Sequence, residues 1–348
     1  MPRVIGIDPG TVSIDVCGLE DGTLSLDRSI PTAAALADPA AFVALLESTG
    51  TVDLIAGPSG YGLPLIRAAQ ATEADLRLAF LAAPGETGGI GGLRQLAAAL
   101  GRSGLPVVYT PGVIHLDTVP SHRKLNRVDM GTADKVAAAA LGIADQADRL
   151  GCPPGETSFL LLELGGAFSA ALAVRDGRIV DGLGGTSGPI GWRSPGALDG
   201  EVAYLAGMLT KSMLFRGGAA TAAEEDPSRR PVALEAFVEG ALKAVRSLLV
   251  SVPVPREILL SGRALAEPGV RERLTPGLES VAPVRELQGF ARVAKAAAQG
   301  AAIIADGLAG GRWRPLVDAM RLRAAQGTAL DHLIVVSPRA ARRRLGID

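Results

Sequence analysis

The chain has 348 residues, 48% of them hydrophobic but only 3% aromatic, and a formal net charge of −1. Such a composition is expected to fold as two domains with cores of Ala, Leu, Val and Ile, and it argues against nucleic acid or an anionic membrane surface as partner, since both need a basic face and the first also needs stacking aromatics. Cys17 and Cys152 stand alone without metal or disulfide spacing, no long apolar stretch is present, and the start has no basic region ahead of an apolar run, so a reducing, cytoplasmic setting is expected.

The opening, "RVIGIDPGTVSIDVCGLEDGTLSLDRSI", begins with the apolar β-branched run Val4, Ile5, Ile7, a buried strand that ends at Asp8 before the turn residues Pro9 and Gly10. Val12 to Leu19 is a second strand, closed by Asp21-Gly22, a hairpin dipeptide that tolerates positive φ. Read from these residues alone, Asp8 either stabilises its turn or holds a hydrated Mg²⁺ while the backbone N–H groups of Gly10 and Thr11 face phosphate oxygens.

A third strand is expected in "VDLIAGPSG", running into the glycine-rich loop "GPSGYGLP", where Ser59 and Tyr61 are candidate hydrogen-bond donors and Arg67 a candidate anion contact. The stretch "GETGGIGGLRQL" has neither a preceding strand nor a G-x-G-x-x-G, so it reads as a loop capping the helix after Gly92; no P-loop pattern occurs either. "SHRKLNRVDMGTADK" then concentrates Arg123, Lys124 and Arg127 ahead of an Ala-rich helix, either as a solvated loop or beside an anion. Asp134 opens that helix, where the positive dipole end alone accounts for a carboxylate, and Lys135 is either a phosphate partner or solvated. His115, His122 and His332 share no metal-ligand spacing.

The linker "GCPPGET", Gly151 to Thr157, precedes a second meander, "FLLLELGGAFSAALAVRDGRIVDGLGG", which repeats the first. A single offset of 155 aligns Asp8 with Glu163, Gly10 with Gly165, Asp21 with Asp176 and Gly22 with Gly177. Each copy continues through helix to an apolar strand, "VDLIAGPSG" or "REILLSGRA", and ends in an Ala-rich helix; the second carries roughly fifty extra residues before its strand. The expected architecture is α/β, a duplicated β-β-β-α-β-α unit with a ligand cleft between copies: 1–150, 151–311, and an extension 312–348. Arg193, in "GPIGWRSPGALDGE", is a further anion candidate, and the basic end "SPRAARRRLGID" reads as a solvated tail or a lid over the ligand.

In this order and spacing, "GIDPGT", "ELGGAFS" and "ILLSGRA" resemble the two phosphate motifs and the adenosine motif of the acetate kinase, sugar kinase, Hsp70 and actin superfamily, whose members bind ATP between two ribonuclease-H-like domains. More narrowly, "GPSGYGLP", "NRVDMGTADK" and "AAIIADGLAGG" resemble an uncharacterised prokaryotic family of predicted butyrate kinases. The resemblance implies ATP and Mg²⁺ as cofactors, with Asp8 on the metal, Gly10, Thr11, Gly165 and Gly166 on the phosphates, and Ser261, Gly262 and Arg263 against the adenosine. It also implies transfer of the γ-phosphate to a small anionic molecule, which Ser59, Tyr61, Arg67, Arg123, Arg127 and Arg193 are the candidates to hold, and it leaves a homodimer open. Two features depart from acyl kinases: Ala167 and Phe168 follow the second glycine pair, and "GTADKVAAAAL" is closer to the helix start of type III pantothenate kinases, whose aspartate lies at a hydroxyl. Asp134 is accordingly expected to be the catalytic base, and the phosphoryl acceptor is a carboxylate or a hydroxyl. The rival reading is a nucleotide-dependent switch that acts on a partner protein.

Overall fold

The computed structural model describes residues 2–86 and 89–347. The strands are β1 Arg3–Pro9, β2 Ser13–Glu20, β3 Thr23–Pro31, β4 Leu54–Ala56, β5 Ile66–Arg67, β6 Val107–Tyr109, β7 Phe159–Leu164, β8 Ser169–Arg175, β9 Arg178–Leu183, β10 Ile258–Ser261 and β11 Val284–Glu286. They form two sheets, ordered β3-β2-β1-β4-β6-β5 and β11-β10-β7-β8-β9. Reversing the second order shows the same plan: an antiparallel meander at one side, then parallel strands added beside the first strand of the meander.

The duplication extends to backbone irregularities. Asp8 stands opposite Asp15 across β1 and β2, and Glu163 stands opposite Ala170 across β7 and β8. The register slips between Gly18 and Leu19 in one meander and between Ala173 and Val174 in the other, again 155 positions apart. A bulge adds a residue to one strand and bends it, so a bulge at the equivalent place marks the two copies as one design. Both hairpins close with positive φ at both central residues, Asp21 (54°) and Gly22 (73°), Asp176 (54°) and Gly177 (68°), the conformation whose twist matches that of paired strands.

Two helices fill the space between the sheets, Ala133–Leu150 and Ala296–Leu308. The second is buried along nearly its whole length and packs against β1, β2 and β4, the sheet of the other copy, as well as against the first helix. Small residues permit this approach: a Cβ on Gly300 would fall 1.7 Å from the Ala137 carbonyl oxygen, and one on Gly6 would fall 2.1 Å from the Ala302 nitrogen. The Ala-rich composition therefore serves backbone-to-backbone packing, where dispersion contacts replace bulky side chains.

The stretch between the third meander strand and the next parallel strand spans 32–53 in the first copy and 184–257 in the second, the expected difference of roughly fifty residues. The C-terminal segment docks instead of hanging free: Pro338–Arg344 is helical, Leu345 and Ile347 are buried in the core of the first copy, and Arg77 donates to the carbonyls of Leu345 and Gly346. Its apolar residues anchor it there, away from the central cavity. The helix expected after Gly92 begins at Gly89, while Thr87 and Gly88 of the preceding loop lie outside the described residues. Among the described residues no helix is long and apolar enough to cross a membrane.

Candidate active site

A cavity of about 920 Å³ opens between the two copies. Asp8, Gly10 and Thr11 reach it from the first meander, Glu163, Gly165 and Gly166 from the second, Ser261 to Arg263 from the end of β10, and Thr132 to Lys135 from the start of the Ala133–Leu150 helix. The two glycine turns are built alike. A Cβ at Gly10 would meet the Ser13 carbonyl oxygen at 2.7 Å and one at Gly165 would meet that of Phe168 at 2.8 Å, so each turn must expose bare backbone to the cavity. Gly262 has φ of +105° and lies so close to Leu164 that a Cβ would come within 2.3 Å of its carbonyl oxygen. Phe168, behind the second turn, stacks edge-on against Phe215 with ring centroids 4.9 Å apart.

The charges are arranged as two lysine-centred groups. Lys135 Nζ donates to Asp134 at 2.7 Å and to Glu163, tying the helix start to the end of β7. Lys295 Nζ lies 3.3 Å from both Asp8 and Asp15, and the Lys295 N–H donates to Asp15 at 2.9 Å. Lys135 is thus paired inside the cavity and is not a solvated side chain. Burial alone would drive its ammonium toward neutrality, but Asp134 and Glu163 more than offset this and hold it charged.

The two catalytic candidates are pushed in opposite directions. Burial raises the Asp8 carboxyl to about 6, with Lys295 offsetting part of the effect and Asp134 adding to it. Burial also acts on Asp134, but the Lys135 ammonium and hydrogen bonds from Lys135 and Thr132 outweigh it and hold the carboxyl below its usual range. Oppositely shifted carboxyls sharing one cavity are a pattern that separates chemical roles.

Ser59 and Tyr61 also line the cavity, beside the helix start: the Ala133 N–H donates to Gly60 at 3.0 Å. The arginines do not join them. Arg123 donates to the Val180 carbonyl and pairs with Asp181, Arg127 reaches the Ser187 carbonyl, Arg193 pairs with Glu224, and Arg67 is exposed on the edge strand β5; none lines the cavity. Each already has a nearby oxygen partner or faces solvent.

Asp15, Asp129, Glu163, Thr186 and Lys295 belong to the site without having been singled out for it. Glu163 was detectable as the counterpart of Asp8 at the repeat offset, and Asp15 as an acidic residue inside an otherwise apolar strand. Asp129 is buried and accepts from the N–H and hydroxyl of Thr186, each at 2.9 Å, and from the Gly131 N–H at 3.1 Å. No local pattern announces that contact, because its partner is 57 residues away.

The chain belongs to the family described as Protein of unknown function (DUF1464), whose model matches residues 6–335. No curated protein matches it. Among solved structures it is similar to a propionate kinase from Francisella tularensis subsp. tularensis SCHU S4, with a TM-score of 0.58 and 14% identity over 86% of this chain and 99% of that one. It is also similar to the acetate kinase from Entamoeba histolytica, with a TM-score of 0.55 and 11% identity over 80% of this chain and 86% of that one. Porphyromonas gingivalis acetate kinase matches with a TM-score of 0.51 and 14% identity over 81% of this chain and 88% of that one. At these identities the likeness establishes the fold alone: two α/β halves of the actin-like ATPase type.

Proposed function

We propose that this protein is a Mg-ATP-dependent kinase that transfers the γ-phosphate to a small molecule bound between its two halves. The observation that carries the reading is the convergence of both glycine turns on one cavity that also holds Asp8, Asp134, Lys135 and Glu163. Phosphoryl transfer asks mainly for positioning and charge neutralisation, and paired backbone turns with a lysine supply donors for phosphate oxygens.

The residues suit the cofactor. Asp8 is buried at the cavity wall next to the first turn, and Gly10, Gly165 and Gly166 leave backbone bare where phosphates would lie. Among the described residues no three ligating side chains stand together, and Mg²⁺ on a nucleotide needs only one or two carboxylates because phosphates and water complete its shell. Asp8 would hold it, and the chemistry it would supply is neutralisation of charge on the β- and γ-phosphate oxygens. Ser261, Gly262 and Arg263 would lie against the adenosine. Asp134, kept ionised, would orient the acceptor and take its proton late in the transfer.

The kinase reading is favoured over a nucleotide switch because the cavity continues past Asp134 to Ser59, Tyr61 and Thr110, leaving room for a second molecule beside the phosphates. Calorimetric titration of ATP with and without Mg²⁺, followed by ADP release with and without metabolite extract, tests it. Mg-dependent binding and extract-dependent ADP release are expected. ADP release that ignores every extract fraction would support the switch.

A further inference from the structure

The closing helices of the two copies exchange lysines. Lys135, in the first turn of the Ala133–Leu150 helix of the first copy, pairs with Glu163 near the end of the second copy's first strand. Lys295, directly before the Ala296–Leu308 helix of the second copy, pairs with Asp8, the residue equivalent to Glu163 at the repeat offset. Each copy thus sends one ammonium to the acidic strand end of the other, beside the other's glycine turn.

The two lysines are not held alike. The Lys135 side chain is 16% exposed and fixed between Asp134 and Glu163. That of Lys295 is 47% exposed and lines the cavity, and its ammonium lies in the mouth of the first turn, where a Cβ at Gly10 would fall 2.7 Å from Nζ. Its three protons have three takers, Asp8 and Asp15 at 3.3 Å each and the Ser13 carbonyl at 3.2 Å. All three contacts are longer than the roughly 2.7–2.9 Å of a strong charge-assisted hydrogen bond, so the ammonium rests there on the charge of two acids without a tight bond to either.

Asp15 does not depend on that ammonium. It is buried, stands opposite Asp8 across β1 and β2, and also accepts from Ser29 Oγ at 2.7 Å and from the backbone N–H of Lys295 at 2.9 Å. The backbone bond anchors residue 295 while its flexible four-carbon stem can swing. Asp8 has no such reserve: among the described residues Lys295 is the one side chain that donates to it. A buried carboxylate left unpaired is costly, so Asp8 gives up the ammonium only to another cation.

We infer that Lys295 is a phosphate ligand of the nucleotide, supplied by the second copy to the turn of the first, and that Lys295 and Mg²⁺ share a claim on Asp8. The inference rests on the Mg-ATP part of the proposed function. As phosphates enter the first turn, the ammonium leaves Asp15 and the Ser13 carbonyl for their oxygens, exchanging long contacts for charge-assisted bonds. Where Asp8 takes the metal, the ammonium is released from that residue as well.

The test is calorimetric titration of the full chain, native and Lys295→Met, with ATP, tripolyphosphate and adenosine, in EDTA and in Mg²⁺. In EDTA the variant should bind ATP and tripolyphosphate at least about tenfold more weakly, with adenosine affinity unmoved. In Mg²⁺ the loss for ATP should be smaller, because Asp8 is then free of its lysine and holds the metal better. Lys295→Arg, which keeps the charge, should retain most of the metal-free affinity. If Lys295→Met does not fold, Lys295→Gln, close in length and still polar, carries the same expectation.

Metal-free affinities that equal those of the native chain, with only the melting temperature lowered, would make Lys295 a strap between the copies and overturn the inference while ATP binding stands. Equal losses in EDTA and in Mg²⁺ would overturn the shared claim on Asp8. A native chain that binds neither ATP nor tripolyphosphate removes the nucleotide reading, and this inference with it.

Discussion

Lys295, which precedes the Ala296–Leu308 helix of the second copy, holds its ammonium 3.3 Å from the carboxylate of Asp8 at the end of the first strand. The contact joins residues 287 positions apart and fills the place where a cation is expected on the metal side of the cavity. Asp8→Asn keeps the shape but removes the charge. It should weaken Mg-dependent ATP binding by about 2 kcal/mol, or roughly thirtyfold, as read by calorimetry. Unchanged affinity with Mg²⁺ would return Asp8 to a turn role.

Asp134→Asn separates base from helix cap. Loss of a general base typically slows transfer by roughly a hundredfold to ten-thousandfold, while loss of favourable charge at a helix start costs about 1 kcal/mol. ATP affinity should persist and transfer to the co-substrate should collapse in a single-turnover assay. A variant that melts earlier yet transfers at the native rate would make Asp134 a partner of Lys135 and nothing more.

Gly262 is less suited to probing adenosine than its place in the motif suggests. With φ of +105° and the Leu164 carbonyl 2.3 Å from any Cβ, Gly262→Val adds about 1–3 kcal/mol of backbone strain to a direct clash, and a large drop in melting temperature is expected. Arg263→Ala is the cleaner variant. It should weaken ATP but not tripolyphosphate, and equal losses for both would place Arg263 on the phosphates.

His115 makes the fold acid-sensitive away from the cavity. It is 2% exposed, its Nδ1 has no hydrogen-bond partner among the described residues, and burial drives its imidazole down to about 4 from about 6.5. Between those values the unfolded chain binds the proton and the folded chain does not, so stability falls as pH drops from about 6.5 to about 4 and then levels. The contribution is about 3 kcal/mol. Urea unfolding at pH 7 and pH 4.5 should show a smaller loss for His115→Leu than for the native chain; identical losses would clear His115.

The meanders, their turns and both central helices were legible because each is written locally: β-branched runs, Asp-Gly dipeptides and Ala-rich periodicity. The repeat was legible because 155 is a property of the sequence as a whole. The arginines were misleading for the opposite reason. Arg123 and Arg127 look like an anion site as a run, but α-helical and loop geometry turns them onto the Val180 and Ser187 carbonyls of the other copy. Ser59 was legible as a candidate, yet its hydrogen-bond polarity was not, since it depends on Gly57 and Thr110 taking the other ends of its bonds. Residue type gives the inventory of donors and acceptors, and only the fold decides which are spent.

The seating of the Ala296–Leu308 helix on the first sheet has a consequence for the order in which the molecule forms. Val4, Cys17 and Leu19 share a buried cluster with Ala301, Ile304 and Ala305, so one face of the earliest strands stays open until some three hundred residues have emerged from the ribosome. A chain interrupted before that point would carry an uncovered sheet face of the kind that chaperones hold and that sticks to its neighbours. Completion of the N-terminal half is therefore among the last events of synthesis, and a late stop codon would damage the first strands as much as the last.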